Sequence, residues 1–136
     1  MANTFYSYSA YILPSSNATI LALKEYLEEF YQKSDHEDQP DIDLRDNQIT
    51  LIFNDEYRFY IYLSEEKHVN EEALEIAEDL ETDWNEEPFD KQKLKTAQKR
   101  FELWGDEDFD MDYFNDSLFI LDQIEKFSGI IIFQNS

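Results

Sequence analysis

The stretch from Asp41 to Leu63 constrains the fold more than any other part of the chain, because it reads as three short strands joined by two tight turns. Apolar and polar residues alternate along it, and the polar pairs Asp46-Asn47 and Asn54-Asp55 interrupt the alternation. Asp and Asn tolerate the left-handed backbone conformations that tight hairpin turns require. The sequence therefore predicts an antiparallel meander over residues 41–63.

The two faces of this meander differ, because side chains on a strand alternate between its faces. The apolar face should form the core and carries Ile42, Leu44, Ile49, Leu51, Phe53, Tyr57, Phe59, Ile61 and Leu63. The other face mixes polar residues with aromatic ones, the latter being a type that proteins often bury in contacts. Two alternatives follow for it. Either another part of the chain covers this face, or it forms a homodimer contact through Ile52, Arg58, Tyr60 and Tyr62.

Further strands and helices are predicted on both sides of the meander. Phe5 to Leu13 has aromatic residues on both faces, which indicates an interior strand or one that shares the aromatic face. Ile130 to Phe133 is a continuous apolar run, and such a run favours a strand in the centre of the sheet. We predict a single α+β domain over residues 1–136, with an antiparallel-dominated sheet and helices packed mainly on one face.

Helical spacing of apolar residues predicts four helices. The first begins at a cap among Ser15, Ser16 and Asn17 and ends near Lys33, and the second begins at an Asn70 cap. The third runs from Pro88 to a stop at Gly105, with Leu94, Ala97, Phe101 and Trp104 as its apolar stripe. The fourth carries Leu118, Leu121, Ile124 and Phe127.

Composition limits the classes of function that the chain can have. The formal net charge of −21 disfavours direct binding to nucleic acid or to an anionic membrane surface, and any charged partner should be basic. The chain has no Cys, so disulfides and thiolate chemistry are excluded and a reducing compartment is favoured. No leader-like segment and no membrane-spanning run is recognised, and we expect a cytoplasmic protein.

Metal, cofactor and catalytic motifs are weak. Asp106, Asp108, Asp110 and Asp112 alternate as in a calcium loop, but the glycine and the final glutamate of such a loop have no counterpart. His36 and His68 lack the local spacing of zinc ligands. Gly occurs at two positions only, so a glycine-rich phosphate loop is excluded. We expect no metal, no cofactor and no catalytic residues.

Acidic residues are concentrated in two segments that flank a basic one. Glu71, Glu75 and Asp79 follow one another at i,i+4 spacing, where like charges repel. A row of Lys91, Lys95 and Lys99 on the third helix is expected to face them, or the acidic surface serves a cationic partner.

These features favour a non-enzymatic interaction module that engages a basic protein surface, in the manner of an inhibitor or a nucleic-acid mimic. The carboxylates expected to bind the partner are Glu71, Glu75, Glu78, Asp79, Asp106, Asp108 and Asp110. The alternative is a small-molecule-binding protein or an enzyme that uses a carboxylate-lined pocket between the sheet and the helices.

Overall fold

Ten strands and helices follow one another along residues 5–33, 39–82 and 91–135, the residues that the computed structural model describes. In order they are β1 (Phe5–Ile12), α1 (Ile20–Lys33), β2 (Asp41–Arg45), β3 (Gln48–Phe53), β4 (Tyr57–Ser64), α2 (Lys67–Thr82), α3 (Lys91–Leu94), β5 (Lys99–Gly105), α4 (Phe114–Ile124) and β6 (Ile130–Gln134). The strands form one sheet in the order β2-β3-β4-β5-β1-β6, and all neighbouring strands are antiparallel. The predicted α+β class is confirmed.

The predicted meander consists of β2, β3 and β4. Asp46 and Asn47 both have positive φ, 47° and 67°, as a two-residue turn between the paired residues Arg45 and Gln48 requires. Asn54 and Asp55 are also left-handed and connect β3 to β4. Both turns therefore form where short polar side chains tolerate positive φ.

The main core lies on one face of the sheet, beneath α1 and α4. All nine apolar residues predicted for the core face of the meander lie in it or pack against it. The helices contribute Leu23, Leu27 and Tyr31 from α1, and Ile120 and Ile124 from α4, all of them buried.

A second, smaller core lies on the opposite face of the sheet, at the end that contains β1 and β6. Tyr11 and Leu13 contribute side chains from and just after β1, and α2 contributes Val69, Ala73 and Ala77. The amide of Asn70 donates to the carbonyls of Lys95 and Ala97 and so holds the segment after α3 against α2. Helices consequently cover both faces at this end of the sheet.

The predicted third helix is correct only over Lys91–Leu94 among the described residues, because residues 99–105 form a strand, and its expected start at Pro88 lies outside the described residues. Its expected apolar stripe divides among three environments: Leu94 and Ala97 lie in the second core, Phe101 lies in the main core, and Trp104 is on the opposite face of β5. Within β5 the buried Phe101 and Leu103 alternate with Arg100, Glu102 and Trp104, which is the period of a strand. Since Lys99 is in β5, the expected helical row of lysines does not form.

The predicted central position of the C-terminal strand is also wrong, because β6 pairs with β1 at an edge of the sheet. Its Ile130 and Ile132 pack on the main core, and Ile131 and Phe133 pack on the second core. The continuous apolar run of β6 is therefore explained by core packing on both of its faces. It does not require a paired strand on each side of β6. Strand β1 is the interior strand, between β5 and β6, as one of the two alternatives predicted.

Two predicted helix caps lie elsewhere. The hydroxyl oxygen of Thr19 accepts a 3.1 Å hydrogen bond from the backbone N–H of Ala22, so Thr19 occupies the capping position of α1. Asn17 instead accepts a hydrogen bond from the backbone N–H of Ser128. Helix α2 begins at Lys67, three residues before the expected cap at Asn70.

Candidate functional site

The face of the sheet opposite the main core has a second region, beside the second core, that neither core includes. We call it the open face and define it by six partly exposed side chains of β3, β4 and β5: Gln48, Thr50, Ile52, Tyr60, Tyr62 and Trp104. Arg58 pairs with Ile52 at its margin and is exposed. The structure thus places Ile52, Arg58, Tyr60 and Tyr62 on one face, and the homodimer contact remains a prediction.

Two aromatic rings stack at the centre of the open face. Tyr60 and Trp104 are directly opposite each other on β4 and β5, with ring centroids 5.3 Å apart and planes inclined by 18°. Offset stacking of this kind stabilises a ring pair beyond the area that it buries. The indole of Trp104 is therefore supported on the β4 side by the phenol ring of Tyr60.

A pocket of about 680 Å³ lies on the other side of Trp104, between the sheet and α2. Its polar and aromatic side chains come from three elements: Glu72 and Glu75 of α2; Arg100, Glu102 and Trp104 of β5; Ser7, Ser9 and Tyr11 of β1. The pocket exists because β1 places serines beside the large side chains of β5. Asn135, just after β6, donates to the hydroxyls of Ser7 and Ser9 at 3.1 Å, and these three residues form the polar side of the pocket at β1 and the end of β6.

Arg100 is the cation at the inner end of the pocket, and its residue is only 7% exposed. Its guanidinium forms ion pairs with Glu72 and, at 3.2 Å, with Glu102. It also donates to the Tyr11 hydroxyl at 2.9 Å. Burial opposes the charged form, but Glu72 and Tyr11 favour it more strongly, so the pKa of Arg100 is raised. Arg100 therefore stays charged, and its Nε and Nη1 atoms already donate to groups of the chain itself.

Acidic groups outnumber basic ones among the described residues that line the pocket. Glu72, Glu75 and Glu102 contribute three negative charges and Arg100 contributes one positive charge, which leaves these residues with a formal charge of −2. Glu75 forms no ion pair with any residue of the described segments, whereas Glu72 and Glu102 share Arg100. The carboxylate of Glu75 is therefore the group with the most remaining capacity to bind a cation.

The carboxylates predicted on α2 lie in one stripe. Glu71, Glu75 and Glu78 are all exposed and follow i, i+4, i+7 spacing, which places them on the same side of the helix. Asp79 belongs to α2, but its side chain lies outside the described residues. The stripe borders the pocket through Glu75.

The carboxylates predicted after β5 form a separate group. Asp108 is 7% exposed, and its carboxylate accepts hydrogen bonds from the Tyr6 hydroxyl at 2.6 Å and from two backbone N–H groups, of Asp112 and Tyr113. This carboxylate fixes the turn that leads into α4. Asp106 is partly exposed and accepts from the backbone N–H of Arg58, and Asp110 is exposed.

The structure does not bring the two acidic groups together. Glu72 contacts Arg100 near the start of β5, and Asp106 follows the end of that strand. Six residues of extended chain separate Arg100 from Asp106, a distance of about 20 Å. The predicted carboxylates whose side chains are described therefore lie in two separate groups, one on α2 and one after β5.

The two histidines and the alternating aspartates of residues 106–112 are the residues whose sequence pattern came nearest to that of a metal site. His68 lies 3.1 Å from the Glu66 carboxylate, and His36 lies outside the described residues. Within residues 5–33, 39–82 and 91–135, no three His, Asp or Glu side chains are grouped as a metal ion would require. None of the helices in those segments is long and apolar enough to cross a membrane.

Sequence reasoning missed the pocket residues Glu72, Arg100, Glu102 and Trp104. Arg100 follows a series of lysines in the sequence, and Trp104 also fits the spacing of a helical stripe. The usable signal was the alternation in residues 99–105, which places Arg100, Glu102 and Trp104 on one face of a strand. No signal in the sequence connects that face to α2.

Comparison with known proteins gives no further indication of function. No protein family model, no curated protein and no solved structure matches this chain significantly. The function has to be inferred from the residues and their geometry.

Proposed function

We propose that this chain is a non-enzymatic binding module that engages a basic surface of another protein. The single observation that carries the proposal is the stripe of Glu71, Glu75 and Glu78 along α2. These three carboxylates are exposed, and none of them forms an ion pair within the described part of the chain. Each like-charge pair at i,i+4 costs about 0.2–0.5 kcal/mol in an isolated helix, and a basic partner would offset this repulsion.

The charge of the whole chain supports the same proposal. A net charge of −21 produces a negative potential that attracts cationic surfaces and repels nucleic acid and anionic membranes. Such long-range attraction raises association rates and is screened within ~8–10 Å near physiological ionic strength. Binding that depends on the stripe should therefore be fast at low salt and slower at high salt.

The stripe can be tested with two variants of identical charge. The first variant, Glu71→Lys/Glu78→Lys, has both substitutions on α2 and changes the net charge of the chain from −21 to −17. The second, Glu25→Lys/Glu125→Lys, changes the net charge by the same amount through substitutions on α1 and at the end of α4. All four side chains are exposed, so both variants should fold. Wild type and the second variant should recover a basic protein from the native lysate, whereas the α2 variant should not.

The recovered protein should then be purified for kinetic measurement. Its on-rate with wild type should fall by about tenfold between ~50 and ~300 mM salt, because the attraction between the two charged surfaces is screened. Equal on-rates for the two variants would mean that total charge, and not the stripe, determines binding. On-rates that do not respond to either charge or salt would refute the proposed function.

A second copy of the chain is another candidate partner, and it would bind at the open face. Homodimerisation through Ile52, Arg58, Tyr60 and Tyr62 would bring two charges of −21 together, so screening should favour it. We expect light scattering on a sizing column to detect dimer at high salt and monomer at low salt, the opposite dependence to that of a basic partner. Tyr60→Glu should abolish the dimer, and a monomer at every salt concentration and at high protein concentration would contradict self-association.

A small molecule is the second candidate ligand, because the pocket volume is within the ~300–1,000 Å³ typical of small-molecule sites. Its lining favours a cationic compound over an anionic one. Such a compound would raise the melting temperature of the purified chain with no protein partner present.

A further inference from the structure

The pocket beside Trp104 combines an aromatic wall with excess carboxylates among its described lining residues. We propose that it binds one arginine side chain of the basic partner, with the guanidinium stacked on the Trp104 indole and paired with Glu75. This inference rests on the proposed function and extends it to a particular site. The stripe and the pocket have different roles. The stripe attracts any cationic surface, whereas the pocket binds one particular arginine side chain.

Charge determines which class of ligand the pocket can hold. An anion would meet described lining residues of formal charge −2, and the cation among them, Arg100, already interacts with Glu72, Glu102 and Tyr11. A cation would meet Glu75, which lacks an ion pair within the described segments. The pocket is therefore selective for positive charge.

The position of Trp104 provides a surface for stacking. Tyr60 covers the indole on the side of β4, so the other face of the indole is directed towards β1. On that side β1 has Ser7 and Ser9, whose small side chains line the pocket next to Trp104. A flat cation placed there would contact the indole on one face, and cations bind to Trp more strongly than to the other aromatic residues.

Arginine fits these features better than lysine. A guanidinium is planar, stacks on aromatic rings and can donate two parallel hydrogen bonds to one carboxylate, whereas an ammonium group is a compact and strongly hydrated point charge. The pocket also exceeds the size of a single side chain, so it admits the backbone on either side of the arginine. The ligand is therefore an arginine within an exposed segment of the partner.

Trp104 allows a direct measurement. The 136-residue chain has two tryptophans, so Trp84→Phe makes Trp104 its sole tryptophan. Titration with acetyl-Gly-Arg-Gly-amide should change its fluorescence saturably, with a dissociation constant on the order of 1 mM for a single side chain. The lysine peptide should bind more weakly, and the citrulline peptide, which has the same shape and no charge, should give no saturable change.

Two matched substitutions locate the binding carboxylate. In the Trp84→Phe background, Glu75→Gln should weaken binding of the arginine peptide by about tenfold, because a charge-assisted hydrogen bond is lost. Glu71→Gln removes the same charge one turn earlier on α2, outside the pocket, and should change the affinity less than twofold. Unfolding midpoints should be equal for both variants, because both side chains are exposed.

The outcomes separate this inference from the proposed function. Equal effects of Glu75→Gln and Glu71→Gln, or a Trp104 signal that arginine does not change, would overturn the arginine site. In that case, stripe-dependent and salt-dependent binding of the basic partner would still support the interaction module. A saturable arginine response that Glu75→Gln weakens selectively would support the site.

Discussion

The free energy of unfolding should fall steeply above pH 10, by about 3 kcal/mol per pH unit from two tyrosines alone. Tyr31 and Tyr57 are buried in the main core, at 1% and 5% exposure. Burial raises the pKa of both phenols well above 10, and nearby carboxylates raise it further, Asp116 for Tyr31 and Asp108 for Tyr57. In the unfolded chain both phenols ionise near pH 10.

The sign follows from the protons that each state binds. Above pH 10 the unfolded state loses two protons that the folded state keeps. The unfolded state therefore binds fewer protons, and rising pH stabilises it relative to the folded state. Each such group contributes a slope of about 1.4 kcal/mol per pH unit until its folded-state pKa is reached. The stability that these tyrosines contribute is therefore fully present below pH 10 and is lost as pH rises further.

Denaturant unfolding of wild type and Tyr31→Phe between pH 7 and pH 11 tests this expectation. At pH 7 the variant should be less stable by about 1 kcal/mol, because the 2.9 Å hydrogen bond from the Tyr31 hydroxyl to Asp116 is lost. Above pH 10 this difference should shrink and then reverse, since the variant has one fewer phenol to ionise. General charge repulsion acts on both proteins, so two parallel curves would contradict the role of Tyr31.

Gly105→Ala should destabilise the chain by about 1–3 kcal/mol, because its new methyl group would have no room. A Cβ atom at this position would lie 2.6 Å from the Tyr57 hydroxyl oxygen and 3.1 Å from two ring carbons of Phe59. The Tyr57 hydroxyl donates to the Asp106 carbonyl at 2.7 Å, and the Tyr57 ring stacks on Tyr113 with centroids 4.1 Å apart. Tyr57 therefore cannot withdraw without losing these contacts.

A double-mutant cycle with Tyr57→Phe identifies the clash. Tyr57→Phe alone should cost about 1 kcal/mol for its lost hydrogen bond, and it removes the atom nearest to the new Cβ. The double variant should therefore be more stable than the sum of the two single effects by about 1 kcal/mol, as measured by denaturant unfolding. Additive effects would show that the hydroxyl is not what excludes a side chain at Gly105.

Local patterns in the sequence predicted the meander and its core face correctly. Turn residues such as Asp46-Asn47 and the alternation around them act within a few residues, so a single stretch of sequence contains the necessary information. Residues 94–104 show where such information is insufficient. Leu94, Ala97, Phe101 and Trp104 have helical spacing, but the residues from Lys99 onward pair with β4 and β1, and this distant pairing decides the structure.

The candidate site was only partly predictable for the same reason. The stripe on α2 follows from helical periodicity, so Glu71, Glu75 and Glu78 could be grouped from sequence. Arg100 acquires its role from Tyr11 and Glu72, which are 89 and 28 residues away. The buried carboxylate of Asp108 likewise accepts a hydrogen bond from Tyr6, which lies 102 residues earlier in the chain. Contacts over such separations leave no periodic trace in the sequence.

The position of β1 between β5 and β6 has a consequence for how the chain folds. Ser9 pairs with Glu102 and Phe133, which lie 93 and 124 residues further along the chain, whereas the hairpins of the meander close over a few residues. Closing long loops costs more entropy before any contact stabilises them, and folding slows as contacts become less local. During synthesis β1 is made first but stays without either neighbour until β5 and β6 have been made. We expect the meander to form early and the insertion of β1 to be the slow, late step.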